Sequence, residues 1–177
     1  MNAELTEGLY ESAQQLHLPR WSELPDFGLY LDQVLGFVDS RLEHYDVQNA
    51  RKLTASMVNN YVKMGAIPAP VRKKYYRSQL AMLIVICILK PILSIGDIRD
   101  LMVAELASEN GSALYDGICE MFERANLSAA GETEEAFRSC ETEEAARRAL
   151  LQSALRACAE RSLSQVMLGR LPSRAEK

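Results

Sequence analysis

Leu53-Thr-Ala-Ser-Met-Val-Asn-Asn-Tyr-Val-Lys-Met-Gly-Ala-Ile-Pro-Ala-Pro-Val-Arg-Lys-Lys-Tyr-Tyr76 carries its own punctuation. Thr54 suits a helix N-cap, because its hydroxyl can accept from one of the first backbone N–H groups, which have no partner within the helix. Met57, Val58, Tyr61 and Val62 then recur at helical spacing, and Gly65 can end the helix in the left-handed conformation. A helix of about ten residues is predicted. Ile67-Pro-Ala-Pro-Val71 cannot continue it, since each proline lacks a donor and pushes its predecessor into extended backbone. The short basic and aromatic segment Arg72 to Arg77 then reads as a small β-hairpin or wing. Met57 and Val62, with Val58 or Tyr61, would turn inward, leaving Ser56, Asn59, Asn60 and Lys63 outward.

On the C-terminal side, a helix is predicted from Arg77 or Ser78 to Leu89, with Leu80, Leu83, Ile84, Cys87 and Ile88 inward and Pro91 ending it. Ser94-Ile-Gly-Asp97 has the spacing of a capping box, so another helix begins there and carries Ile98, Leu101, Met102 and Leu106. On the N-terminal side, Leu31, Val34, Leu35, Val38 and Leu42 give an amphipathic helix over about residues 28–44. Before it, Leu18-Pro-Arg-Trp-Ser-Glu-Leu-Pro-Asp26 must be extended or turned, with Trp21 as a staple onto the core. Leu5, Leu9, Ala13 and Leu16 make a short helical stripe at the start.

The last third is acidic and helical. Leu114, Ile118, Cys119, Phe122 and Ala125 mark one helix, which Asn126-Leu-Ser-Ala-Ala-Gly131 should break. Glu-Thr-Glu-Glu-Ala occurs at 132–136 and again at 141–145, each copy placing a Thr cap before two glutamates. A short helical turn and then a longer helix from Thr142 to about Leu168 are predicted. The longer helix carries Leu151, Ala154, Leu155, Cys158, Ala159, Val166 and Met167 as a stripe that needs a partner, either its own core or a second subunit.

Charge is unevenly placed. The chain of 177 residues has a net charge of −4. Residues 51–90 nevertheless contain Arg51, Lys52, Lys63, Arg72, Lys73, Lys74, Arg77 and Lys90 and no acid, a block of +8. The remainder is therefore −12. Such a basic block is the footprint of an anion-binding surface. The longest apolar run, Leu80 to Leu89, is about half of what a membrane span needs. The N-terminus lacks a basic segment followed by an apolar one, so no secretory leader and a cytoplasmic location are expected. Cys87, Cys119, Cys140 and Cys158 fit neither a metal spacing nor a disulfide framework, and His17 and His44 alone build no triad. No phosphate loop or paired nucleophile and base is present, so catalytic residues, metal and cofactor are all expected to be none, and the protein is not expected to be an enzyme.

A small helix, a proline turn and a basic hairpin backed by apolar helices are what a winged helix-turn-helix needs. Asn amides can bond adenine through two contacts, and Ser or Lys can reach base edges or phosphates. Arg72, Lys73, Lys74 and Arg77 would supply phosphate charge, with Tyr75 or Tyr76 donating a hydroxyl. The run 53–68, continued by Lys73-Lys-Tyr75, Leu80, Leu83 and Leu93-Ser-Ile-Gly-Asp-Ile98, resembles the bacterial domain-of-unknown-function family 1836 over roughly residues 18–105. That family is itself similar to MerR-type winged helix-turn-helix proteins. Thr54, Tyr61, Gly65, Ile67-Pro68, and Lys73 with Tyr75 match the MerR pattern, and Leu93, Ser94, Ile95 and Ile98 match its later helix opener. Asn59-Asn60-Tyr61 stands where that pattern has Arg-Tyr-Tyr, and Lys73 stands for the common wing arginine.

The resemblance implies a mainly α fold: a MerR-like winged helix-turn-helix over 28–107, an N-terminal segment 1–27 with a short helix, and a helical dimerisation or regulatory extension over 108–177. The expected function is a DNA-binding transcriptional regulator, with double-stranded DNA contacted through Thr54, Ser56, Asn59, Asn60, Tyr61, Lys63, Arg72, Lys73, Lys74, Tyr75 and Arg77. A homodimer through the C-terminal helices and no membrane partner are expected. The alternative is a protein-interaction adaptor whose basic face binds an acidic partner.

Overall fold

The computed structural model describes residues 8–42, 52–106 and 108–171. Leu5, His44 and Arg51 lie outside these residues. The described chain is mainly helical: α1 (Leu9–Gln15), α2 (Leu31–Leu42), α3 (Ala55–Lys63), α4 (Arg77–Leu89), α5 (Ile95–Leu106), α6 (Gly111–Arg138) and α7 (Glu143–Leu168). A single 3-10 turn covers Trp21–Glu23. Among the described residues no helix is long and apolar enough to cross a membrane.

The chain divides into two compact units, Leu18–Glu120 and a second comprising the described parts of Met1–His17 and Met121–Pro172. In the first, α4 is the centre, packed against α2 and α5, while α2 also packs on α3. The inward stripe expected of α4 understates its burial, because every residue from Gln79 to Ile88 is buried. A helix apolar all round belongs in the middle of a core, and the uninterrupted run Leu80 to Leu89 has that composition. α5 opens as its spacing implied: Asp97 N–H donates to Ser94 Oγ at 3.1 Å and Ser94 N–H to Asp97 Oδ2 at 3.2 Å. Trp21 is the expected staple, its ring edge-on to Tyr115 with centroids 6.2 Å apart. Its backbone N–H donates to Asp116 Oδ1 at 2.6 Å, which ties the proline-flanked segment to α6.

In the second unit, α1 runs beside α6, with Tyr10 lying where a Cβ on Gly131 would meet its ring at 3.5 Å. The break expected at Asn126–Gly131 is absent: α6 is continuous from Gly111 to Arg138 and includes the whole first Glu-Thr-Glu-Glu-Ala copy. One helical glycine costs only about 1 kcal/mol relative to alanine, too little to break a helix of 28 residues. The second copy does start a helix, since Thr142 Oγ1 accepts from Ala145 N–H at 3.1 Å. Small residues line the facing sides of α6 and α7 and leave a groove of about 570 Å³ crossed by Arg156, which bonds Glu132 and, at 2.9 Å, Glu160. The leucines of α7 do not point into that groove. Leu151, Leu155, Leu163, Val166 and Met167 are all more than half exposed.

Candidate nucleic-acid interface

α3 has the cap and the stop that its sequence implied. Thr54 Oγ1 accepts from Met57 N–H at 3.2 Å, and Gly65 takes a φ of +69°, where a side chain would be strained. Arg99 from α5 donates to Met64 O at 3.3 Å and adds a cation at the negative end of the α3 dipole. Val58 and Tyr61 are buried, Met57 and Val62 half-buried, and Ser56, Asn59, Asn60 and Lys63 exposed together. Those four therefore share the outer face. Asn60 Nδ2 lies 3.4 Å from Met64 Sδ, a weak contact that leaves its carbonyl oxygen available.

The hairpin is a tight two-residue turn. Val71 N–H donates to Lys74 O and Lys74 N–H to Val71 O, both at 3.0 Å. Arg72 and Lys73 form its tip with φ of 51° and 66°, so both sit in the left-handed region that L side chains rarely adopt. A third strand segment completes a minimal sheet: Leu29 and Tyr75 exchange two backbone hydrogen bonds at 2.8 Å. Gln79, buried on α4, ties the base of the hairpin to the core. Its Nε2 donates to Pro68 O at 3.0 Å and Ala69 O at 3.1 Å, and its Oε1 accepts from Tyr76 N–H at 2.7 Å. The available signal was its position three residues after Tyr76, the N3 place of a capping box.

Four of the residues expected to touch DNA are occupied within the fold. Tyr61 and Tyr75 are core side chains, 4% and 3% exposed, which leaves little of either ring for a ligand and raises both hydroxyl pKa values through burial. Tyr61 is expected as a contact from the MerR pattern and Tyr75 from its place beside Lys73 and Lys74, yet both sit on the inward phase of their helix and strand. Arg77 is half-buried and donates from Nε to Leu24 O at 3.0 Å, a clamp on the segment before α2. One of the two lone pairs of the exposed Thr54 hydroxyl is taken by the cap, and its O–H remains able to donate. By contrast Lys63, Arg72 and Lys73 are exposed, as is Lys52, while Lys74 is half-buried with its Nζ 5.2 Å above the Tyr30 ring. Among the described residues no group of His, Cys, Asp and Glu could hold a metal ion.

Residues 19–122 match the family described as a domain of unknown function, DUF1836. No curated protein and no solved structure matches the chain. The match covers more than half of the chain and nearly coincides with the unit Leu18–Glu120, so the protein belongs to the DUF1836 family.

Proposed function

We propose that the protein is a DNA-binding regulator in which α2, α3 and the Val71–Lys74 hairpin work as a winged helix-turn-helix. One observation carries this reading. The acid-free +8 block of the sequence coincides with a capped helix exposing Ser56, Asn59, Asn60 and Lys63 and with a hairpin tip exposing Arg72 and Lys73. α3 would lie in the major groove with Asn59 and Asn60 on base edges, and the tip would hold phosphates. An acidic protein surface would satisfy the same cations. Two adjacent exposed amides, which carry no charge and suit adenine, favour DNA.

The decisive measurement is binding of a random-sequence duplex across a salt series. With Lys52, Lys63, Arg72 and Lys73 each neutralising one phosphate, log K should fall against log salt with a slope of roughly −4. Replacing Arg72 and Lys73 by alanine should reduce that slope by about 2 and weaken all sequences alike. Asn59→Ala and Asn60→Ala should instead change which oligonucleotides are selected. No duplex binding at low salt refutes the reading. One such module contacts DNA over a small area, and we propose that two copies act together through α7, whose exposed leucines require a cover.

A further inference from the structure

The hairpin's third strand creates a second surface. Because Leu29 pairs with Tyr75 in antiparallel sense, Tyr30 stands opposite Lys74 and Gly28 opposite Tyr76. Side chains alternate across a strand, so burial of Leu29 and Tyr75 places Tyr30, Lys74 and Tyr76 together on the other face. Gly28 is what lets that face form. A Cβ there would stand 2.9 Å from Tyr76 Cζ and 2.9 Å from Lys74 Cβ, so the tyrosine ring lies across the bare backbone. Lys74 Nζ sits over the Tyr30 ring.

Cross-strand pairing explains why these residues touch, but not why they remain open. Tyr30 is 50% exposed and Tyr76 41%. Two aromatic rings on one face of this small sheet meet solvent, next to the exposed cations of Arg72 and Lys73. Aromatic faces interleaved with cations are the chemistry of base stacking, because every base has a π-face and every step along a strand carries a phosphate. A duplex presents its bases edge-on and already stacked, so it cannot use such platforms. An unpaired strand can.

We infer that this face is a stacking surface for unpaired nucleobases, with Tyr30 and Tyr76 as platforms and Arg72, Lys73 and Lys74 on the flanking phosphates. The inference rests on the nucleic-acid reading of the basic block but concerns a different ligand, single-stranded DNA. It gives the full chain two modes, duplex reading by α3 and capture of an opened strand beside the hairpin.

The test compares a fluorescein-labelled oligothymidylate of about sixteen nucleotides with an abasic strand of equal length, at one low salt concentration. Both carry the same phosphates, so the ratio of their affinities isolates the bases. The full chain should prefer the base-bearing strand by roughly tenfold. Tyr30→Ala and Tyr76→Ala should each bring the ratio toward one without weakening the abasic strand, and Tyr76→Phe should keep it. Far-ultraviolet circular dichroism reports whether Tyr76→Ala still folds; if it does not, Tyr30→Ala carries the test, since half of that residue is in solvent. Equal affinity for the two strands, or a ratio unmoved in the folded variants, overturns the inference. A duplex titration separates the two readings: duplex binding with a ratio of one refutes only the stacking face, and a tenfold ratio without duplex binding refutes only the α3 assignment.

Discussion

Gln79 is a single buried polar residue on which the candidate interface depends. It holds two proline-turn carbonyls and the backbone N–H of Tyr76, three hydrogen bonds that place the hairpin relative to α4. Gln79→Ala leaves these groups without protein partners, and the expected loss is on the order of 2–4 kcal/mol, read as a lower midpoint in urea denaturation. Cys87 shows how far burial governs chemistry on the same helix. Burial pushes its thiol pKa from 9.0 to about 11, with Lys90 opposing and Asp39 reinforcing the shift. A thiol whose folded pKa is raised contributes its full stability below the unfolded value and loses it as pH climbs toward the folded one. Stability should therefore fall between about pH 9 and 11 by roughly 3 kcal/mol from this group, and Cys87→Ala should flatten that fall in urea midpoints. In native protein Cys158, exposed on α7, should react with thiol reagents at neutral pH while Cys87 stays protected until unfolding. At this scale the sequence showed which α3 side chains would be outward, because helical phase alone sets that. It left open whether Val58 or Tyr61 turns inward, where both do, and it did not show that Tyr75 and Arg77 are held by the fold, because a basic neighbourhood says nothing about which side of its element a residue occupies.

Among the elements, the hairpin turn holds strain where the cations are. Two-residue turns with both φ positive favour Asn-Gly, yet Arg72 and Lys73 occupy those places. Each non-glycine residue in the left-handed region costs of order 1 kcal/mol. Arg72→Asn combined with Lys73→Gly should therefore raise the thermal midpoint by a few degrees while weakening nucleic-acid binding. If the doubly substituted protein is less stable than the parent, the turn is not strained as described. The caps at Thr54, Ser94 and Thr142 were legible because each uses a local hydroxyl at fixed spacing. The continuity of α6 was not. Asn126 to Gly131 contains turn-forming residues, yet the helix runs through them, with the Tyr10 ring, over a hundred residues away in the chain, lying beside Gly131. Glu132 and Thr133 likewise read as a helix start, though the same residues serve as the α7-facing side of a longer helix.

For the molecule as a whole, charge sorts by segment: the acid-free block 51–90 lies in the family-matched unit, and α6 carries six acids against two bases. α7 adds a second constraint. A helix of 26 residues that exposes Leu150, Leu151, Leu155, Leu163, Val166 and Met167 has turned its small-residue face toward α6 and its leucines outward. Apolar area of that extent on a single helix is poorly stabilised in water and is of the kind found at subunit contacts. Size-exclusion chromatography with light scattering should therefore report a dimer, and Leu151→Lys with Leu155→Lys should shift it to monomer without loss of the Leu18–Glu120 fold. Because two tethered readers bind as an intramolecular pair, the monomeric variant should lose on the order of a hundredfold in affinity for a site with two half-sites but little for a single half-site. A variant that stays dimeric, or that loses both affinities equally, would place the dimer contact elsewhere than on the leucine face of α7.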